Sequence, residues 1–195
     1  MFRKFAPEKN CVDSTHGTNA YDFHLTTLLT VDDYGSGMPV AFCLSNRIDS
    51  VAMSIFFNAI KNKAGGIQTK IFMSDDAPAY YNAWQQCMGP AAHQLLCSWH
   101  VDRSWRKNLF RINASIKKKL MVYKTICVLM HETNETKFKQ MLENTLKLLL
   151  EDEETKLFGV YFRDTYAKRT QLWAYYARTH IGINTNMNLE SMHKF

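Results

Sequence analysis

The chain has 195 residues and a mass of 22.7 kDa, room for one domain with a full hydrophobic core or a core carrying a subsidiary insertion. Its 46% hydrophobic and 13% aromatic content excludes disorder over most of its length, because so many large side chains bury enough surface to offset the entropy of ordering. Twenty-four Lys and Arg against eighteen Asp and Glu give +6, a surplus that suits a polyanion such as nucleic acid without proving contact, and the longest apolar runs, such as 146–150, fall far short of the roughly 20 residues of a membrane span.

Residues 10–15 and 24–31 read as strands, followed by a turn at Asp32-Asp33-Tyr34-Gly35-Ser36-Gly37 and a third strand over 38–44. The turn holds residues that tolerate positive φ, so the second and third runs are expected to form an antiparallel hairpin. Asp49 or Ser50 can cap a helix over 51–63, whose Val51, Ile55, Phe56, Ala59 and Ile60 recur at helical spacing. Ala64-Gly65-Gly66 ends it. A buried strand over 69–74 delivers Asp75 at its carboxyl end, a helix over 77–86 starts with Pro78 in its first turn, residues 93–97 form another apolar run, and from Trp99 to Phe110 the pattern is helical. The order is three strands, helix, strand, helix, strand, helix.

Residues 111–181 change texture, with helical runs at 116–130, 136–150, 157–166 and 172–177 and little strand character. We read a core over 1–110, a helical insertion over 111–181 within the same domain, and over 182–195 the start of a closing helix. The cluster Glu151-Asp152-Glu153-Glu154 reads as a solvated helix junction, because neighbouring side chains on a helix diverge. Lys117-Lys118-Lys119 reads as a solvated face. Five cysteines, Cys11, Cys43, Cys87, Cys97 and Cys127, are scattered with no signal peptide ahead of them, which fits reduced thiols in a nuclear or cytosolic setting.

Three acids stand out. Asp13 and Asp75 each follow a short apolar run of strand type, and Glu190 lies in a polar stretch able to open a helix. One folded sheet could gather all three, the arrangement that two-metal phosphoryl-transfer chemistry requires. Asp76 adjoins Asp75, but on a strand end the two point to opposite sides. Only one can join the cluster, and Asp76 is expected to face the following helix as its N-cap.

Five motifs in order carry a resemblance: Cys-Val-Asp-Ser-Thr-His-Gly-Thr-Asn, Asp-Tyr-Gly-Ser-Gly-Met-Pro-Val-Ala-Phe, Phe-Met-Ser-Asp-Asp-Ala-Pro-Ala-Tyr-Tyr-Asn-Ala-Trp, Leu-Leu-Cys-Ser-Trp-His-Val-Asp-Arg-Ser-Trp, and Asn-Leu-Glu-Ser-Met-His. Together they resemble the catalytic domain of Mutator-like element (MULE) transposases, of the DDE superfamily, from about residue 10 to the end. The resemblance implies an α/β, ribonuclease H-like fold: a mixed five-stranded sheet flanked by helices, with an all-helical insertion before the last acidic residue. It implies that Asp13, Asp75 and Glu190 are the catalytic carboxylates and hold two Mg²⁺ ions, with Mn²⁺ a substitute, since hard oxygen ligands suit both.

The implied activity is DNA strand cleavage and strand transfer on double-stranded DNA, at transposon ends and target, in the nucleus, with self-association in a transposition complex. His16, Asp76, Cys97 and His100 are placed around the metals as supporting residues, and Arg103, Arg106 and Lys107 as phosphate contacts. Cys97 and His100 form half of a zinc site at most, so zinc is not expected there. Family members carry zinc-bearing modules upstream and downstream that this sequence does not display, and it stops five residues after Glu190, so a fragment or a degenerate copy is expected. The rival reading is a host-adopted descendant that keeps the fold and binds DNA or acts as a regulator without cutting. A nuclease for RNA–DNA hybrids fits the metals but not the Cys-x-x-His pair or the insertion.

Overall fold

The computed structural model describes residues 2–16 and 20–185. After a one-turn helix α1 (Phe2–Phe5), five strands β1 (Lys9–Thr15), β2 (His24–Val31), β3 (Gly37–Ser45), β4 (Ile71–Ser74) and β5 (His93–Leu96) form one sheet in the order β3-β2-β1-β4-β5. β1 pairs antiparallel with β2 and β2 with β3, while β1–β4 and β4–β5 are parallel. This is the mixed five-stranded sheet flanked by helices expected from the sequence.

The expected β2–β3 hairpin is closed by Asp32, whose Oδ1 accepts from the N–H groups of Tyr34 at 2.9 Å and Ser36 at 2.8 Å. Gly35 takes φ 79° there, a conformation a Cβ would resist. Pro39 has no N–H for the ladder and sits on the edge strand β3, beside the register shift opposite Leu28 and Leu29, the position where a strand tolerates proline.

Helix α2 (Ser50–Ala64) starts where Asp49 accepts from the Ala52 N–H at 2.9 Å and ends at Gly65 with φ 87°. Its buried face is Ala52, Met53, Phe56 and Phe57. Val51 and Ile55, expected on that face, are 57% and 66% exposed. The run Val-Ala-Met-Ser-Ile-Phe-Phe is apolar on too many sides for its periodicity to set the phase, and packing against the sheet sets it instead. Helix α3 (Pro78–Met88) buries Tyr80, Ala83, Trp84 and Cys87.

These helices cover one face of the sheet around Val12, Leu28 and Phe72. Trp84 stands edge-on to Phe57 at 5.3 Å and tilted against Phe72 at 5.0 Å. Such pairs add about 0.5–1.5 kcal/mol each beyond the area they bury.

The described chain divides into two compact units: one runs up to Cys97 and is taken up again at Thr185, the other is Ser98–Asn184. The helix α4 (Ser98–Asn108), grouped with the core in the sequence reading, thus falls in the second unit, with α5 (Ile116–His131), α6 (Glu135–Glu151) and α7 (Lys156–Thr165). Trp105, Phe138, Phe158, Phe162, Tyr166 and Trp173 are buried in it. The helical run expected over 172–177 does not form; two 3-10 turns, Ala167–Leu172 and Tyr175–Arg178, flank Trp173 and Ala174. Trp173 is fully buried and its indole N–H donates to the Tyr166 carbonyl at 3.0 Å, so the chain breaks helical geometry to deliver that ring.

The acidic junction is solvated, as expected, and also tied: Lys118 pairs with Asp152 and Glu154, and Lys156 with Glu153 at 2.7 Å. Lys118 therefore holds α5 to the α6–α7 turn. Surface ion pairs of this kind contribute little to stability.

Candidate metal centre

The site grows out of strand register. In the parallel ladder between β1 and β4 the last pair is Cys11 with Met73. Two residues beyond each partner come Asp13 and Asp75. Asp13 lies in the last half of β1 and Asp75 directly follows β4, the parallel strand beside it.

Each carboxylate is steadied by its own backbone. Asp13 is buried, 4% exposed, and its Oδ1 accepts from the Ser14 N–H at 2.9 Å. Asp75 lies just past β4; its Oδ1 accepts from the Ala77 N–H at 2.9 Å, and the Ser74 hydroxyl donates to its carbonyl at 2.8 Å. This turn settles the role proposed for Asp76 at the helix start. The N-cap position is Ala77, extended as a residue before proline is, and its methyl offers no acceptor for a side-chain cap. Asp75 serves the turn through the Ala77 N–H.

The charges of both aspartates bear on Tyr80. Burial raises the pKa of the Tyr80 hydroxyl; its hydrogen bond with Ser14 opposes the rise, and the charges of Asp75 and Asp13 add to it. Beneath them, Cys11 is fully buried and its thiol is pushed up to about 12, by burial first and then by Cys97 and Asp13.

Two carboxylates at one sheet end form a hard-oxygen donor set that fits a divalent cation such as Mg²⁺ or Mn²⁺. Among the described residues no group of three or more His, Cys, Asp and Glu is gathered in a way that could hold a metal ion. Glu190, the expected third carboxylate, lies outside the described residues.

The remaining expected residues fall in different places. His16 is exposed at the end of β1 and packs its ring edge-on against His24, 4.1 Å between centroids. Cys97 is buried and gives its N–H to the Ser74 carbonyl at 2.8 Å. His100 lies in α4 of the other unit, edge-on to Trp99 at 4.8 Å.

Arg103, Arg106 and Lys107 are exposed on α4. Arg106 is paired with Asp102 at 2.6 Å, and Arg103 lies over the Trp99 ring at 5.1 Å. Trp105 is a core residue and Trp99 is half-buried.

Sequence reasoning passed over Tyr80, Ser14 and Thr26. Tyr80 is 1% exposed, its hydroxyl donates to the Ser14 Oγ at 2.7 Å, and the Ser14 and Thr26 hydroxyls share a hydrogen bond of 2.5 Å. The signal available was a tyrosine on the apolar face of α3, in phase with Ala83, Trp84 and Cys87, since a buried tyrosine hydroxyl must find a partner.

Residues 10–104 match the family model of the MULE transposase domain. No curated protein matches the chain. Among solved structures, one similar chain comes from the cryo-EM structure of the simian T-cell lymphotropic virus intasome in complex with PP2A regulatory subunit B56 gamma, at 15% identity and a TM-score of 0.36, over 61% of this chain and 47% of that one. This chain thus spans about half the length of that neighbour. Another is the HTLV-2 integrase catalytic core domain in complex with magnesium, in its dimeric form, at 13% identity and a TM-score of 0.32, over 61% of this chain and 83% of that one. At these identities and scores the likeness carries no assignment of activity.

Proposed function

Starting from residues 10–104 as a MULE transposase domain, we propose that the protein cleaves double-stranded DNA and transfers the cut strand in a metal-dependent reaction, with Asp13, Asp75 and Glu190 as the metal-holding acids. The observation that supports this reading is that Asp13 lies in β1 and Asp75 directly follows β4, the parallel strand paired with β1. Bound Mg²⁺, or Mn²⁺ in its place, supplies Lewis-acid activation of the attacking oxygen and neutralisation of the leaving one.

The chain's own residues do the rest. Strand β1 carries the Asp13 carboxylate, and the turn after β4 holds the Asp75 side chain through the Ala77 amide. Exposed cations on α4 suit DNA phosphates. Arg106 is already paired with Asp102, so Arg103 and Lys107 are the freer contributors. The partners are transposon ends and target DNA, met in the nucleus, with copies of the protein associating to bring ends together.

The test is nicking of supercoiled plasmid in Mn²⁺ or Mg²⁺. Asp75→Asn should abolish nicking and leave DNA affinity unchanged or slightly higher, because one negative charge is removed, while Asp76→Asn should nick normally. Nicking that survives in Asp75→Asn overturns the assignment. Wild-type protein that binds DNA with EDTA-insensitive affinity and never nicks belongs to the adopted, non-cutting reading instead.

A further inference from the structure

The ladder between β1 and β4 stops at Cys11 and Met73, two residues short of the aspartates. The site depends on the separation of Asp13 and Asp75, and both lie beyond the last register pair of that ladder. A side-chain hydrogen bond crosses from one side to the other. Helix α3 begins directly after the Asp75 turn, and from its first turn Tyr80 reaches back to β1, donating to the Ser14 Oγ at 2.7 Å. Ser14 is the residue whose own N–H donates to the Asp13 carboxylate, and its hydroxyl is held from the other side by Thr26 of β2 at 2.5 Å.

We propose that Tyr80 is a positioning residue for the two aspartates: its hydroxyl bolts the start of α3, and with it Asp75, to Ser14, and with it Asp13, fixing the gap across which the metal is held. The inference rests on the metal-holding reading of Asp13 and Asp75 and assigns Tyr80 no contact with metal or DNA. Geometry supports a bolt rather than mere packing. The ring is buried among Ala83, Trp84 and the rest of the α3 core face, where phenylalanine would pack as well, yet the hydroxyl spends its hydrogen bond on the one serine adjacent to Asp13.

The experiment is calorimetric titration of Mn²⁺ into the full chain, with thermal unfolding recorded beside it. Tyr80→Phe keeps the ring and removes only the hydroxyl, and Ser14→Ala removes the acceptor. Each should weaken Mn²⁺ binding about tenfold or more, the range seen when groups that orient metal ligands are removed. The double variant should lose no more than either single one, because both cut the same bond. Tyr81→Phe, at a neighbouring ring that packs on Phe72, should bind as wild type.

Wild-type affinity in folded Tyr80→Phe overturns the bolt and leaves the metal site standing, and so do fully additive losses in the double variant. If Tyr80→Phe unfolds, Ser14→Ala decides alone by the same criterion. Failure of the wild-type chain itself to bind Mn²⁺ overturns the metal-holding reading, and the positioning role with it.

Discussion

Gly159 of α7 lies close against Leu149 of α6, and replacing it sets two effects of known size against each other. A Cβ built there would lie 3.0 Å from the Leu149 Cβ and 3.1 Å from both its carbonyl carbon and oxygen. Two of those three atoms are backbone. Leu149 cannot easily retreat, because its carbonyl accepts from the buried Thr155 hydroxyl at 3.0 Å. Relief then requires α7 to shift, and overpacking of this kind costs about 1–3 kcal/mol. Gly159 lies inside a helix, where alanine is intrinsically better by about 1 kcal/mol. The clash wins by a margin: Gly159→Ala should destabilise by about 1 kcal/mol, and Gly159→Val, bulkier and without the full helical gain, by about 3 kcal/mol. For a chain of this size that corresponds to roughly 2–4 °C in Tm for alanine and about three times as much for valine. Differential scanning calorimetry of the three proteins measures it. A rise in Tm for Gly159→Ala would mean that propensity dominates and that α6 and α7 do not approach this closely.

Two further outcomes follow from burial and charge. Arg163 hydrogen bonds, with Lys168 beside them, hold the Asp164 carboxyl down at about 2; because the folded value is depressed, its stabilising effect is present above about pH 4 and is lost as pH falls toward 2. Carbon-detected NMR should place that carboxyl's midpoint near 2, and a midpoint near the ordinary aspartate value would contradict the pairing. The Cys11 thiol, buried and pushed up to about 12, should resist iodoacetamide at pH 8 in the native protein and react once the chain is unfolded, as read by mass spectrometry of the labelled peptides; rapid native labelling would refute its burial.

The sheet and most helices were legible because turn chemistry punctuates them. Asp32 and Gly35 close the hairpin, Asp49 and Gly65 bracket α2, and Pro78 and Gly89 bracket α3, each for a local reason that a sequence displays. The phase of α2 was not legible, since Val51 and Ile55 are as apolar as the Met53 and Phe57 that tertiary packing selected. Nor was the break around Trp173, which answers to a cavity built by Trp105, Phe138 and Phe162 from three other helices. At the site, apolar runs ending in Asp13 and Asp75 pointed to strand ends. The link from Tyr80 to Ser14 depends on which residue faces which across 66 positions of chain, and periodicity carries no such information.

The Asn184 carbonyl accepts from the Ser98 N–H at 3.0 Å, from the Ser98 hydroxyl at 2.7 Å and from the Arg178 guanidinium at 3.2 Å. The helical unit therefore begins and ends at a single doorway. Everything between is a closed excursion, and the entropy of closing such a loop grows only with the logarithm of its length. Residues can be gained or lost inside it while the span between entrance and exit stays the same. A sequence of this kind can thus drift in size by whole helices and still bring Asn184 back to Ser98.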